Sequence, residues 1–207
     1  RQGSHWRREA DLPKAVDDFD SEPFAATLRW AVRRYQPFAV QLEFTQMAQY
    51  AAAAKPAKSI LVEHDITIDL YRQLLRDADD FDLRREAERW ERFETAAWRN
   101  VDAVVVMSEK DRAMIQGAKS VIVLENGVDL ARFQPSGESP EHRRLLFLGS
   151  LAHLPNLLAL AWFLDQVWPR LENYRLHIIA GKNPDYWLDY YRDRVQVNFA
   201  RPGIEFE

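Results

Sequence analysis

The chain has 207 residues, 28 Lys plus Arg against 32 Asp plus Glu, a formal net charge of -4, 47% hydrophobic residues and 29% charged ones. That length suits one large domain or two small ones, and the composition is that of a globular protein rather than a disordered tail. The mild acidity offers no global basic field for nucleic acid, no apolar run reaches the ~18–20 residues of a membrane span, and the absence of cysteine excludes disulfides, thiolate metal sites and a cysteine nucleophile.

The opening Arg1-Gln2-Gly3-Ser4-His5 is no signal peptide and carries no initiator Met, so residues 1–20 are expected to be a tail, disordered or tag-derived. A helix is predicted over 21–35. Ser21 can cap it, Pro23 suits its first turn, and Phe24, Leu28 and Ala31 share a face. Pro37 ends it. Phe38 to Leu42 reads as a strand, about Gln46 to Ala54 as a helix, and Ser59 to Glu63 as a second strand. From Ile68 to about Arg99 the pattern is helical and heavily charged, with a break around Asp77–Asp82. Phe81, Trp90, Phe93, Ala97 and Trp98 can form its apolar stripe, and Arg84, Arg85, Glu86, Glu88, Arg89, Glu91 and Arg92 a solvated face.

Val101 to Met107 reads as a buried strand. Ser108 followed by Asp111 forms a capping box with Asp in place of Glu, opening a short helix that Gly117 is expected to end. Val121 to Leu124 is the next strand, and Glu125-Asn126-Gly127 turns the chain. Residues 134–144, rich in Pro, Ser, Gly and charge, read as a linker. Beyond it come a strand at Leu145–Leu148, an apolar helix from Asn156 to about Leu171, a strand at Arg175–Ala180, a Tyr/Trp-rich helix at Asp185–Arg194 and a further strand at Val195–Phe199. Short apolar strands alternating with helices mean parallel βαβ units. Two such runs predict an α/β protein of two doubly wound lobes: 21–133, then 145–207 after the linker.

In open parallel sheets, ligands bind beyond the carboxyl ends of the strands. The residues there are Glu43, His64-Asp65, Ser108-Glu109, Glu125-Asn126-Gly127, Gly149-Ser150 and Gly181-Lys182. An imidazole at His64 beside the Asp65 carboxylate can act as a base or orient a hydroxyl or phosphate. A histidine held at a strand end by a local hydrogen bond has the same pattern. Gly149-Ser150 before a helix lets backbone amides approach a phosphate, and Gly181-Lys182 repeats that junction with a cation added. A plain tight turn would read the same way. His5, His142, His153 and His177 have no metal-ligand spacing, and no Gly-x-Ser-x-Gly elbow, Walker loop or Gly-x-Gly-x-x-Gly occurs. His177 reads as a satisfied core histidine.

The stretch Val123-Leu124-Glu125-Asn126-Gly127-Val128-Asp129, with Phe133 and Pro135 after it, resembles the segment that leads family 4 glycosyltransferases out of their N-terminal domain. Ala103 to Glu109 resembles the strand and serine that precede that segment. Leu146 to Leu151 with Leu154-Pro155-Asn156 is similar to the first strand and turn of the C-terminal domain in the bacterial surface-polysaccharide branch. Phe38–Tyr50 and Ile60–Asp65 are similar to that branch too, so the resemblance runs from about Phe38 to Phe199.

The resemblance implies a GT-B fold of two Rossmann-like lobes, both incomplete here. It implies metal-free, retaining transfer of a sugar from a nucleotide-diphosphate donor, with no cofactor, to a glycan, lipid-linked or small-molecule acceptor. It implies no nucleic-acid partner and a cytoplasmic location, with peripheral association at the inner face of the membrane as one arrangement. His64, with Asp65, matches the family's cleft histidine. Gly149 and Ser150 match the turn under the donor phosphates, and Lys182 lies where the family places a basic diphosphate ligand. The sequence departs from the family in three ways. Ser150 and Pro155 stand where many members carry Arg and Lys, which leaves phosphate neutralisation to Lys182 and backbone amides. The glycine-rich first loop and the glutamates that hold donor sugar and ribose have no counterpart. The chain therefore resembles the middle of a larger enzyme, itself inactive. A non-catalytic GT-B-like nucleotide- or sugar-binding module, and a two-lobed small-molecule binding protein of another kind, are the alternatives.

Overall fold

A computed structural model describes residues 12–76, 80–135, 137, 139, 141–193 and 195–207. The chain divides into two compact units, with the division between Asp129 and Leu130. Each unit is built on its own parallel sheet, as the strand–helix alternation predicts.

The first sheet has four strands: β1 (Ala39–Glu43), β2 (Lys58–Glu63), β3 (Ala103–Val106) and β4 (Val121–Val123), adjacent in that order. All pair in parallel, with Glu43 opposite Val62 and Glu63 opposite Val106. Their carboxyl ends therefore lie along one edge. The core that supports this edge is Leu42, Leu61, Val104 and Val106 on the sheet, with Tyr50, Ile66, Ile68, Ala97 and Trp98 packed on it.

Residues 14–18, expected in the tail, form a short helix α1 (Lys14–Asp18) whose Val16 is fully buried. Apolar burial holds this segment where composition alone suggested none. Residues 1–11 lie outside the described residues. Helix α2 (Glu22–Tyr35) starts at the expected cap, where Ser21 Oγ accepts the Phe24 N–H at 3.3 Å, and ends at Gln36 in the left-handed region. Its buried residues are Ala25 and Val32, whereas Phe24 lies outward and tilts against Tyr50.

Between β1 and β2 the expected helix is a 3-10 turn, Thr45–Tyr50, continued by turns through the alanines. The charged segment splits as expected into α3 (Thr67–Leu74) and α4 (Phe81–Asn100). The break itself, 77–79, lies outside the described residues. Trp90, Ala97 and Trp98 are buried, but Phe81 is exposed, because the stripe meets the core only from Trp90 onward. Helix α5 (Glu109–Met114) is capped by Ser108, whose Oγ accepts the Asp111 N–H at 3.2 Å. It closes at Ile115 in extended backbone, two residues before Gly117.

The second sheet has the order β5 (Arg144–Leu148), β6 (Arg175–Ile179), β7 (Ile204–Phe206), again parallel. Helix α6 (Leu154–Trp162) runs on through a π-turn (Phe163–Val167) and a 3-10 turn (Trp168–Arg170), and α7 is Pro184–Tyr190. Leu151, Leu157, Leu160, Leu164, Leu176 and Ile178 are its fully or nearly fully buried core.

The strand expected at Val195–Phe199 is not formed. The alternating Val195, Val197 and Phe199 pack on the core without a ladder, and the third strand comes later, at Ile204. Gly203 makes that entry possible: its φ is +80°, and a Cβ there would lie 2.7 Å from the Tyr174 carbonyl oxygen. No helix among the described residues is long and apolar enough to cross a membrane.

Candidate functional site

Beyond the carboxyl ends of β1 and β2, parallel register brings two segments side by side: Glu43-Phe44-Thr45 and Glu63-His64-Asp65. His64 and Asp65 are both exposed. The carboxylate that engages His64 is not its sequence neighbour. Glu43 Oε2 lies 2.8 Å from His64 Nε2. Asp65 has no hydrogen-bond or ion-pair partner among the described residues. The His64 hydrogen bond, with a second from Gln41 Nε2, holds the Glu43 carboxyl below the usual carboxylate range. Glu43 is therefore ionised at neutral pH and acts as the acceptor.

Phe44 completes this corner. Its ring centroid lies 4.5 Å from that of His64, tilted by 37°. Its backbone has φ 68° and ψ 148°, close to a region that belongs essentially to glycine. The Phe44 N–H donates to the Val62 carbonyl at 3.0 Å, so main-chain bonding to β2 holds the unfavourable conformation.

Directly beneath lies a cluster that sequence reasoning missed. Glu63 and Glu94 are almost completely buried. Glu63 Oε1 accepts the Trp98 indole N–H at 2.9 Å, and Glu63 Oε2 meets Thr45 Oγ1. Glu94 Oε1 accepts the Thr67 N–H at 2.9 Å and lies 3.2 Å from Thr45 Oγ1; its Oε2 accepts the Ile68 N–H at 2.8 Å. Burial, with the Glu94 charge added, pushes the Glu63 carboxyl up to about 8. Burial also raises Glu94, against the two backbone amides that favour its ionised form. Thr45 carries one hydroxyl proton and faces two carboxyls. The arrangement is fully satisfied with one proton shared in. Protonated Glu63 donates to Thr45 Oγ1, Thr45 donates to ionised Glu94, and the Thr67 and Ile68 amides with the Thr67 hydroxyl complete the Glu94 shell. The His64–Asp65 turn is thus anchored before it by Glu63 and after it by Glu94. A signal was present: Glu94 sits midway between Trp90 and Trp98 on the apolar stripe at spacings of four.

In the second unit the two predicted junctions do come together. Gly149 N–H donates to the Ile179 carbonyl, and a Cβ on Gly181 (φ +81°) would sit 3.4 Å from Ser150. Gly149 itself is explained by packing, since a Cβ there would meet Asn156 Nδ2 at 3.1 Å. The amides expected to receive phosphate are largely engaged. Leu151 N–H donates to Ala180, His153 N–H to the Ser150 carbonyl and Ala152 N–H to Ser150 Oγ, while Pro155 has no N–H to offer. Lys182 is exposed and has no carboxylate partner among the described residues. His177 is not the fully satisfied core histidine expected. Its Nε2 is buried without a hydrogen bond, 3.4 Å from Glu207, and its Nδ1 lies 3.4 Å from Arg144.

The fold places these residues in a known architectural class. The chain is similar to the structure of sucrose-phosphate synthase from Thermosynechococcus elongatus, with a TM-score of 0.55 and 13% identity, over 89% of this chain and 48% of that one. At that identity the likeness speaks for the fold: an α/β protein with the Rossmann-like parallel sheets of a GT-B glycosyltransferase. The chain spans about half the length of the protein it matches, at 48%. No protein-family model matches the chain, and no curated protein matches its sequence.

Proposed function

We propose that the chain belongs to a retaining family 4 glycosyltransferase, of the branch that builds bacterial surface polysaccharides. It moves a sugar from a nucleotide-diphosphate donor to a glycan, lipid-linked or small-molecule acceptor, without a metal. The observation that carries this reading is that each sheet ends in a group the reaction needs. The first ends in an imidazole held by a carboxylate. The second ends in a lysine without a carboxylate partner among the described residues, beside two glycine turns.

In such a transfer the bond from the anomeric carbon to the diphosphate breaks and the acceptor oxygen bonds to that carbon on the same face. The diphosphate leaves with the electron pair, and the acceptor proton passes to it. Lys182 meets the charge that develops on the diphosphate. His64 orients the donor sugar or the acceptor hydroxyl. With the amides at Leu151–His153 engaged, the donor's charge rests on Lys182 more heavily than the sequence suggested.

That engagement also favours the second reading, a GT-B-like module that binds nucleotide or sugar without catalysis. Full-length parent protein offered a panel of nucleotide sugars and acceptors separates the two. Transfer with retained anomeric configuration supports the enzyme. Saturable nucleotide binding without transfer supports the module, and neither result would remove both readings. Lys182→Ala should weaken nucleoside-diphosphate binding by about 1.5–3 kcal/mol, with Lys182→Arg recovering part, as for charge-assisted hydrogen bonds. Unchanged calorimetric affinity would take Lys182 out of the site.

A further inference from the structure

The geometry points to Glu43 as the positioning residue of His64, leaving Nδ1 as the ring nitrogen offered to substrate. Three independent observations converge. Glu43 Oε2 and His64 Nε2 are 2.8 Å apart. A second hydrogen bond, from Gln41, fixes the other carboxylate oxygen, so the acceptor cannot swing freely. The Phe44 ring lies tilted against the imidazole, with centroids 4.5 Å apart, from a backbone conformation that a non-glycine residue rarely adopts. Backbone of this kind persists where the surroundings impose it and gathers at working sites.

The proton inventory follows from the donor–acceptor rules. An ionised carboxylate can only accept, so in the neutral ring Nε2 carries the hydrogen and donates it to Glu43. Nδ1 is then a lone pair. It has no hydrogen-bond partner among the described residues. A lone pair recognises a hydroxyl donor, which makes the ligand chemistry at this nitrogen a sugar hydroxyl rather than the diphosphate of a nucleotide sugar, whose two esterified, ionised phosphates bring only acceptors. Phosphate is thereby assigned to the other sheet, and His64 to the carbohydrate. Asp65, the carboxylate next in sequence, takes no part in holding the ring.

This inference deepens the glycosyltransferase reading and rests on it for the word substrate, but the ring geometry can be tested without any activity. In the 207-residue chain labelled with ¹⁵N-histidine, with the His64→Asn variant used for assignment, two-bond correlations should place the neutral-ring proton of His64 on Nε2. Nuclear Overhauser contacts should tie that ring to Phe44. Glu43→Ala should lose those contacts, and Glu43→Gln should keep most of them, because the carboxamide oxygen still accepts. A proton on Nδ1, or ring contacts unchanged in Glu43→Ala, would overturn the assignment.

In the full-length parent, Asn and Gln substitutions at His64 then report which nitrogen works. The Asn amide lies near the position of Nδ1 and the Gln amide near that of Nε2. His64→Asn should retain about tenfold more turnover than His64→Gln, and Glu43→Ala should lower kcat while leaving the donor KM nearly unchanged. The reverse ranking would overturn Nδ1 as the working nitrogen. Absence of transfer by the unaltered parent would instead count against the glycosyltransferase reading, with the spectra still deciding the role of Glu43.

Discussion

Glu63 carries its proton because burial strips the carboxylate of water and a second acid, Glu94, lies beside it. Its native carboxyl is raised to about 8 from an ordinary 4.5, so the native state binds the proton more tightly than the unfolded chain. The resulting stability is complete below about pH 4.5 and is lost as pH rises through about 8. Glu63→Gln retains an acceptor for Trp98 and a donor for Thr45 and cannot ionise. It should match the parent chain near pH 5 and exceed it by about 1–3 kcal/mol near pH 8.5, taking roughly 1.4 kcal/mol for each tenfold change in proton affinity and discounting for relaxation. Urea titrations at the two pH values check this; equal stability at pH 8.5 would show that the buried proton is not held. His64, one residue on, should behave oppositely in kind. If the parent is the proposed glycosyltransferase, His64→Ala in it should reduce turnover by ~10²-fold or more, with little loss of donor affinity and little change in melting temperature. Full activity per folded molecule would leave His64 only a strand-end role.

Helix α3 has no side-chain cap of its own: Ile66 precedes it and offers none. The cap is supplied by Glu94 from the middle of α4, which takes the first-turn amides of Thr67 and Ile68. A charged acceptor at a helix N-terminus satisfies orphan donors and meets the helix dipole favourably. Glu94→Ala should therefore cost about 3 kcal/mol or more, since it strands the buried Ile68 amide and the half-buried Thr67 amide and removes one of the partners of the Thr45 hydroxyl. Glu94→Gln should cost less, because one acceptor survives. Denaturant midpoints for both variants, beside Ser108→Ala as an ordinary cap loss of about 1 kcal/mol, give the ranking. A Glu94→Ala loss no larger than that of Ser108→Ala would contradict the tertiary cap. Ser108 was readable from its sequence because its partner is three residues away; the cap of α3 was not, because its partner lies 27 residues away from Thr67.

The two units have separate apolar cores, one around Leu61, Val104 and Trp98 and the other around Leu157, Leu160 and Leu176. Stability should follow that partition. Leu160→Ala removes a fully buried side chain from the second core and should cost that unit about 2–5 kcal/mol. Scanning calorimetry is expected to show one transition moving down while the other stays in place. A single transition that shifts as a whole would mean that the units unfold as one.

Strands, most helices and the division into two parallel sheets were legible because they rest on local patterns. Apolar runs such as Val104–Val106, the Ser21 and Ser108 caps and the charged face of α4 need no knowledge of distant partners. The strand expected at Val195–Phe199 failed for the complementary reason. Its alternation satisfies packing, but a strand also needs a neighbour with free backbone groups, and Ile204–Phe206 pairs with β6 instead. The site divided along the same line. The position of His64 beyond β2 followed from sequence. Its partner did not, because parallel register sets Glu43 beside it while Asp65, its neighbour along the chain, remains without a partner among the described residues. Glu63 and Glu94 were hidden most deeply. A carboxylate in a sequence is expected in water, and only tertiary packing could supply the shared hydroxyl, indole and amides that make its burial stable.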